Sequence, residues 1–438
     1  MADDGSQPRG PNDDARAAAA GAGAPHPFRS RRVWVLTLLG FSSGVPFLLT
    51  GQTLSAWMTH AKVDLTTIGL FALVALPYQL KWLWAPLLDR YRLPFLGRRR
   101  GWLLVFQLAL AGAIAAMGAV EPRGAPGALA GLAVLVAFLS ASQDIVVNAF
   151  TADSLRPDER AAGSALSVGG YRAAMLATGA ASLHLAGHLP WRLIYGGCAA
   201  LMLVGVLGTL LADEPASPPD RPATFADALG RPVAALLRRR GIVVVVAFVA
   251  IYRFGEQVAF PLMVPFLKHV GFDFAAIADD YQLLGFGGVV AGGVLGGWLI
   301  PRVGLRRSLL WFGAAGALTN LAWAALAWTG PSQPALVAAV LVDNLASQVA
   351  TTAFVAYLLS LCDPAVSATQ YALLTSLSSL AARLFGYVGA AVAARAGWST
   401  LWIATTIAVL PSLVLLRWLR VDERLPPTAA SRGQEPDS

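Results

Sequence analysis

The chain has 438 residues, of which 56% are hydrophobic and only 13% charged, with a mean hydropathy of +0.60. A soluble domain carries about 25% charged residues, so the composition excludes a soluble globular protein and reads as a multi-spanning membrane protein. The formal charge of +8 does not point to nucleic acid, because the basic residues cluster in short loops where they set topology. Cys198 and Cys362 are too few for a disulfide framework and fall in or at the end of apolar segments.

Residues 1–32 are polar and rich in Ala, Gly, Pro and Arg, and are expected to form a disordered cytoplasmic tail. The first apolar run begins near Val33 with no small-residue cleavage site after it, so it is expected to stay as a span. Twelve apolar segments of spanning length follow, at 33–59, 66–88, 101–120, 127–151, 162–187, 191–211, 242–269, 281–301, 308–329, 334–360, 369–394 and 398–418. The polar stretch 213–241 divides them six and six and reads as a cytoplasmic linker. Residues 33–212 and 242–420 are then two six-helix bundles, and 421–438 a second cytoplasmic tail. Lys62, Arg123, Arg192, Lys268 and Arg395 lie on one side, whereas most of the 33 Lys and Arg lie on the other with both tails and the linker. That asymmetry places both termini in the cytoplasm.

The two halves echo each other. Ala141-Ser142-Gln143 matches Ala346-Ser347-Gln348, the run from Val63-Asp64-Leu65 matches Phe272-Asp273-Phe274, and Gly97 to Arg100 matches Gly304 to Arg307. Two six-span halves related by an axis along the membrane normal are the architecture of the major facilitator superfamily. The expected fold is all-α integral membrane, with twelve transmembrane helices in two pseudo-repeats.

Ionisable residues inside the spans are the candidates for chemistry. A carboxylate at the centre of a membrane helix costs about 2.5–3.5 kcal/mol on insertion. Asp144 sits deep in the fourth segment and is the first proton-coupling candidate; the alternative is a structural ion pair with Arg172 or another base. Ser142 and Gln143 beside it could hydrogen-bond sugar hydroxyls or act as interhelical glue. Tyr252-Arg253-Phe254-Gly255-Glu256 places Arg253 and Glu256 three apart on one face. Protonating Glu256 would free Arg253 for a substrate carboxylate, a proton-sensitive latch. Asp343 is a third proton candidate, and Asn344 with Gln348 continues a polar strip on one helical face. Arg172 and Arg383 are deep cations suited to an anionic solute; Lys81 is expected to snorkel toward the cytoplasmic surface. Gln52 could add a contact. Gly288, Gly292 and Gly296 have the spacing of close helix packing and are not a nucleotide loop. Pro46, Pro77, Pro261 and Pro265 are expected to kink their spans. His60, His184, His188 and His269 form no ligand cluster, so no metal and no cofactor are expected, and no nucleophile with a base at readable spacing is evident.

The chain resembles the AmpG-type muropeptide permeases of the major facilitator superfamily. The resemblance runs from about Gly40 to Leu419. It is carried by Leu88-Asp89-Arg90-Tyr91, Gly97 to Leu104, Ser140 to Val146, Ser367 to Leu374 and Gly397-Trp398-Ser399-Thr400. It implies a symporter of the bacterial inner membrane that carries N-acetylglucosaminyl-anhydro-N-acetylmuramyl peptides inward with protons, without enzymatic activity. Asp89, Arg90, Arg98 and Arg99 resemble the superfamily's gating loop. Asn148 and Thr151 stand where the family pattern has Asp and Lys. The expected partners are the muropeptide, protons and the lipid bilayer, with a monomer as the expected state. A carrier of acetyl-CoA or another anionic solute is the alternative. An integral-membrane enzyme acting on lipid-linked sugars is the second alternative, disfavoured by the short basic loops.

Overall fold

The computed structural model describes residues 30–91, 93–155, 159–215, 234, 238, 241–362 and 367–419. The tails and the body of the linker fall outside the described residues, as do the side chains of Asp89 and Arg90. The described elements are helical. They are α1 (Arg31–Leu49), α2 (Gln52–His60), α3 (Leu65–Leu70), α4 (Leu76–Leu80), α5 (Ala85–Arg90), α6 (Arg98–Gly118), α7 (Pro126–Ser154), α8 (Arg160–Thr178), α9 (Ala180–Leu185) and α10 (Trp191–Leu211) in the first part. The second part holds α11 (Ile242–Ile251), α12 (Phe254–Ala259), α13 (Met263–Val270), α14 (Phe274–Ala276), α15 (Leu284–Val303), α16 (Leu305–Thr329), α17 (Gln333–Ser360), α18 (Ser367–Leu384), α19 (Gly386–Ala396) and α20 (Trp398–Leu415).

Among the described residues, ten helical stretches are long and apolar enough to cross a membrane. The expected spans at 66–88 and 162–187 are not among them. The first is cut into short α and 3₁₀ turns, with Phe71–Ala75 and Lys81–Leu83 in the tighter form. The second breaks at Gly179 and carries Arg160 and Arg172. The large apolar side chains turn outward, as lipid requires: Val294 is 72% and Trp328 71% exposed, while Gln107 and Gln143 are fully buried.

The breaks have chemical causes. Pro46 lies inside α1, which ends at Leu49, and the N–H and hydroxyl of Thr50 both bond to the Pro46 carbonyl. Pro77 starts α4 after a 3₁₀ turn, Pro261 lies in a 3₁₀ turn between α12 and α13, and Pro265 sits within α13. By contrast α6, α7, α10, α16, α17 and α20 run unbroken. Small residues let helices approach closely. A methyl on Gly40 would stand 2.1 Å from the Ser167 carbonyl, so α1 lies directly on α8. Gly288, Gly292 and Gly296 face Asn344, Gln348 and Thr352 of α17, the packing role their spacing predicts.

Two of the sequence echoes have a shared structural cause. Asp64 and Asp273 each cap the helix that follows, accepting from the N–H of Thr67 at 2.8 Å and of Ala276 at 2.7 Å. The Thr66 hydroxyl, then Thr67, hold the Asp64 carboxyl down at about 2. That cap is therefore fully ionised above the usual carboxylate range and is lost only as pH falls toward about 2. Gly97 and Gly304 each precede a helix with positive φ, at 86° and 87°, a conformation that glycine adopts without steric cost.

The packing divides by depth. One buried cluster mixes residues from both parts of the chain, among them Trp57, Ile114, Trp191 and Tyr195 with Phe266, Trp323, Trp398 and Trp402. It lies at the end of the bundle remote from Arg31 and Leu415, called the far end below. At the end holding Arg31 and Leu415 the clusters separate. One draws only on residues 33–212, such as Leu36, Leu103 and Phe150. The other draws only on residues 245–419, such as Phe248, Leu309 and Tyr357. The two parts thus share a core at the far end and have separate cores at the opposite end.

Four contacts seal the far end. A methyl on Gly69 of α3 would meet the Ala390 Cβ of α19 at 2.3 Å. His184 of α9 pairs with Asp279 at 2.8 Å. His60 stacks on Phe274, with ring centroids 5.7 Å apart. Gln52 Nε2 donates to the Tyr281 hydroxyl at 2.8 Å. Trp57 and Trp398, whose ring type favours headgroup depth, are instead buried in this seal. A valine at position 69 should hold the far end apart. Overpacking of this kind costs about 1–3 kcal/mol, which moves a two-state equilibrium about 5- to 150-fold toward the open form. In Gly69→Val a cysteine placed at the buried Leu54 should gain matching reactivity toward a water-soluble thiol reagent; unchanged protection would show that the contact does not control closure.

Candidate transport site

Two interior carboxylates are paired with cations, and in each pair the cation sits at an interruption of regular helix. Lys81 begins a 3₁₀ turn between α4 and α5, and its Nζ lies 3.8 Å from Asp144 Oδ2 of α7. The expected snorkelling toward the surface does not occur, because the tightened turn aims the ammonium at a carboxylate within the bundle. Asp144 thus has Lys81 as its ion-pair partner, not Arg172. Tyr78, one turn before Lys81, lies within electrostatic reach of both Asp144 and Arg383. Ser142 accepts from Trp84 Nε1 at 3.0 Å and donates to the Phe138 carbonyl. Gln143 is fully buried and donates to Ser42 at 3.1 Å, within the packing of α7 on α1.

In the second part, Arg253 sits at the break between α11 and α12 and grips Glu256 with two bonds, Nε to Oε2 at 3.0 Å and Nη2 to Oε1 at 2.6 Å. Fork geometry of this kind is the strong form of an ion pair. The pair lines a cavity of about 350 Å³ with Asn320, Ser347 and Thr351. Tyr252 stacks on Phe354 and donates its hydroxyl to the Leu309 carbonyl, so its polar tip serves the packing of α11 on α16. Asp343 accepts from Thr319 at 2.6 Å, Trp323 at 3.1 Å and Ser347 at 3.3 Å. Thr319 and Trp323 tie it to α16, and Ser347 is one turn on along its own helix. Asn344 donates to the Val340 carbonyl and faces Gly285, while Gln348 packs on Gly292.

Two guanidiniums differ from the rest. Arg172 has a Met175 sulfur at 3.7 Å and no carboxylate partner among the described residues. Arg383 has its Nε buried with no hydrogen-bond partner. Each lines a cavity where the two parts of the chain meet. Arg172 stands with Gln52, Tyr281 and Asn344 around about 620 Å³. Arg383 stands with Phe47, Thr50, Tyr78 and Phe260 around about 510 Å³.

The first turn of α6 forms a separate network at the end holding Arg31 and Leu415. Arg98 and Arg99 reach Asp153 of α7 at 3.3 and 3.1 Å. Glu214 accepts from the N–H groups of Arg99 and Arg100, at 2.8 and 3.1 Å. A carboxylate at a helix N-terminus satisfies free donors there and complements the helix dipole. These contacts tie α6, α7 and the chain after α10 together within one part of the molecule.

Lys81 is an interior polar residue that sequence reasoning placed elsewhere, and Tyr281, Gln282, Gln107, Thr319 and Asn320 are among those it passed over. Tyr281 and Gln282 directly follow Asp279-Asp280 and look like the edge of a loop; the signal was their position at the start of an apolar run.

The Major Facilitator Superfamily pattern matches residues 36–386. The chain is 41% identical to the anhydromuropeptide permease of Escherichia coli, over 89% of this chain and 80% of that relative. Among solved structures it resembles the nucleoside transporter NupG, with a TM-score of 0.69 and 16% identity over 88% of this chain and 99% of that one. The D-xylose-proton symporter is similar to the same degree, at TM-score 0.69 and 13% identity over 89% and 98% of the two chains. Apolar helices around a charged interior, broken where they meet, agree with these likenesses, and the chain belongs to the Major Facilitator Superfamily and, within it, to the AmpG-type permeases.

Proposed function

We propose that this chain is a proton-coupled importer of anhydromuropeptides, working by alternating access across the bacterial inner membrane with both termini in the cytoplasm. Twelve helices in two six-helix bundles, 33–212 and 242–420, move as rigid halves joined by the 213–241 linker. The observation that carries the reading is the charge state of the interior. Its carboxylates are engaged, Asp144 by Lys81, Glu256 by Arg253 and Asp343 by three hydrogen-bond donors. Arg172 and Arg383 are left for anions brought from outside. Muropeptides carry several carboxylates, and a guanidinium takes a carboxylate in a planar fork.

The cycle follows from these pairs. In the form described here the far end is sealed and the other end is split. Taking up a proton on Asp144 or Glu256 releases Lys81 or Arg253, so each ion pair weakens as a solute carboxylate arrives. A proton and an anion then enter together, and neither alone leaves the interior balanced. The bias toward one form equals the difference in affinity of proton and solute for the two forms. Asp89, Arg90, Arg98 and Arg99 belong to the gating contacts, with Asp153 and Glu214 fixing the last two.

Uptake of labelled anhydromuropeptide into proteoliposomes under an imposed pH gradient tests the reading, with acetyl-CoA in parallel. Accumulation that a protonophore abolishes is expected, and accumulation of acetyl-CoA alone would overturn the substrate. For the latch, Glu256→Gln leaves Arg253 free at every pH. It should bind the anionic solute more tightly and lower gradient-driven uptake about 5- to 150-fold, the usual range of a coupling free energy. Unchanged uptake would remove Glu256 from coupling.

A further inference from the structure

The stretch Phe274–Val303 does not begin as a plain α-helix. Ile277–Leu283 is wound as a π-helix, and it meets the other interrupted backbone of the far end, Gly179. Gln282 lies in that π-turn with both amide atoms, Nε2 and Oε1, buried and without a hydrogen-bond partner. Its Oε1 stands 2.6 Å from where a Cβ on residue 179 would lie, so the amide occupies the space that a glycine leaves free. Buried amides are almost always paired, and π-turns recur at functional sites. Here an amide that could have been an apolar side chain is kept dehydrated and unpaired.

The same side chain lines the cavity that holds Gln52, Arg172, Tyr281 and Asn344. Gln52 is already engaged with Tyr281 and the Phe260 carbonyl, and Asn344 with the Val340 carbonyl. Gln282 is therefore the one amide of this cavity with donor and acceptor both unused. Gln282 and the Arg172 guanidinium, which has no carboxylate partner among the described residues, line the same cavity. A primary amide offers a C=O acceptor and an N–H donor side by side, and the group that satisfies both at once is another amide.

We propose that Gln282 is a specificity-determining residue that pairs with a secondary amide of the solute while Arg172 takes a carboxylate close by. The proposal rests on the muropeptide reading, whose solutes carry secondary amides from two sources, the acetamido groups of the sugars and the peptide bonds of the stem. Binding supplies partners to both atoms of an amide that lacks them in the empty, far-end-sealed form.

The test is equilibrium binding to the purified full-length protein, with three ligands. They are the disaccharide peptide, an analogue with hydroxyls in place of the acetamido groups, and the peptide-free disaccharide. The wild type should bind one of the two amide-poor ligands roughly tenfold more weakly than the full ligand, the size expected for two neutral hydrogen bonds. Gln282→Met, unbranched and close in length, should lose that tenfold for the full ligand and no longer discriminate against the same amide-poor ligand. The ligand whose discrimination collapses identifies the source of the amide. Full affinity in Gln282→Met, or an equal loss for all three ligands, would overturn the proposal. Both Gln282→Met and Gln282→Leu should melt no lower than the wild type, because each removes an unsatisfied amide. If both fail to fold, the amide is structural and the proposal fails. A wild type that binds none of the three ligands would instead remove the muropeptide reading itself.

Discussion

Lys81→Met alone should be the most damaging single change in the interior, and Lys81→Met combined with Asp144→Asn should largely restore a folded protein that still does not transport. Removing one partner of a buried ion pair leaves an uncompensated charge, at a cost of about 3–5 kcal/mol. Removing both charges leaves two neutral groups of similar volume, often with little net cost. Lys81 and Asp144 stand 3.8 Å apart with side chains 34% and 18% exposed, a part-buried pair, so the single change should cost less than that full figure. Asp144→Asn alone should lower gradient-driven accumulation by up to ~100-fold, the upper range of coupling free energies. Thermal melting in detergent and uptake in proteoliposomes separate the two quantities. A double variant that accumulates solute against a gradient would show that the pair only holds the fold.

Arg383 should behave in the opposite way. Its Nε is buried and unpartnered, so the folded protein carries a cost there that a neutral side chain would relieve. Arg383→Gln should melt at the same temperature as the wild type or above it. The affinity for the anionic solute should fall by about 10- to 150-fold, the equivalent of one charge-assisted hydrogen bond of about 1.5–3 kcal/mol. Arg383→Lys keeps the charge and loses the fork, so its affinity should fall between the two. Stability and function moving apart in this way is the mark of a residue kept for its ligand. If Arg383→Gln melted several degrees lower with unchanged affinity, Arg383 would be a packing residue.

The two sets of charges were not equally legible in the sequence. Arg253 and Glu256 are three residues apart, and helical periodicity alone puts them on one face, where the structure joins them with two bonds. Lys81 and Asp144 come from helices distant in sequence, and their meeting depends on the 3₁₀ turn at Lys81–Leu83, which no local preference announces. The same limit applies to the backbone breaks. Pro46, Pro77 and Pro261 gave warning through a missing N–H. Gly179 and the π-turn at Ile277–Leu283 gave none, because they meet only through the tertiary fold, where the Gln282 amide lies against Gly179. Tyr252 was a candidate for the solute because it adjoins Arg253. Its ring stacks on Phe354, and it also lines the cavity that holds Arg253 and Glu256. The apolar spans themselves were readable from composition, apart from the two segments whose hydropathy is diluted by charges and turns. The echo between the halves was readable too, and it reflects a working part in each: Asp64 and Asp273 both cap the helix that follows.

Alternating access requires the shared core at the far end to come apart while the two separate cores at the other end close on each other. Spin-label distances in proteoliposomes test this most directly. Cys198 and Cys362 would first be replaced by serine. One label pair would sit at Lys62 and Gln333 across the far end, and another at Phe95 and Arg307 across the other end. Lowering the pH and adding anhydromuropeptide should lengthen the Lys62–Gln333 distance and shorten the Phe95–Arg307 distance together. Both distances staying fixed, or both changing in the same direction, would contradict a carrier that exposes its interior to one side at a time.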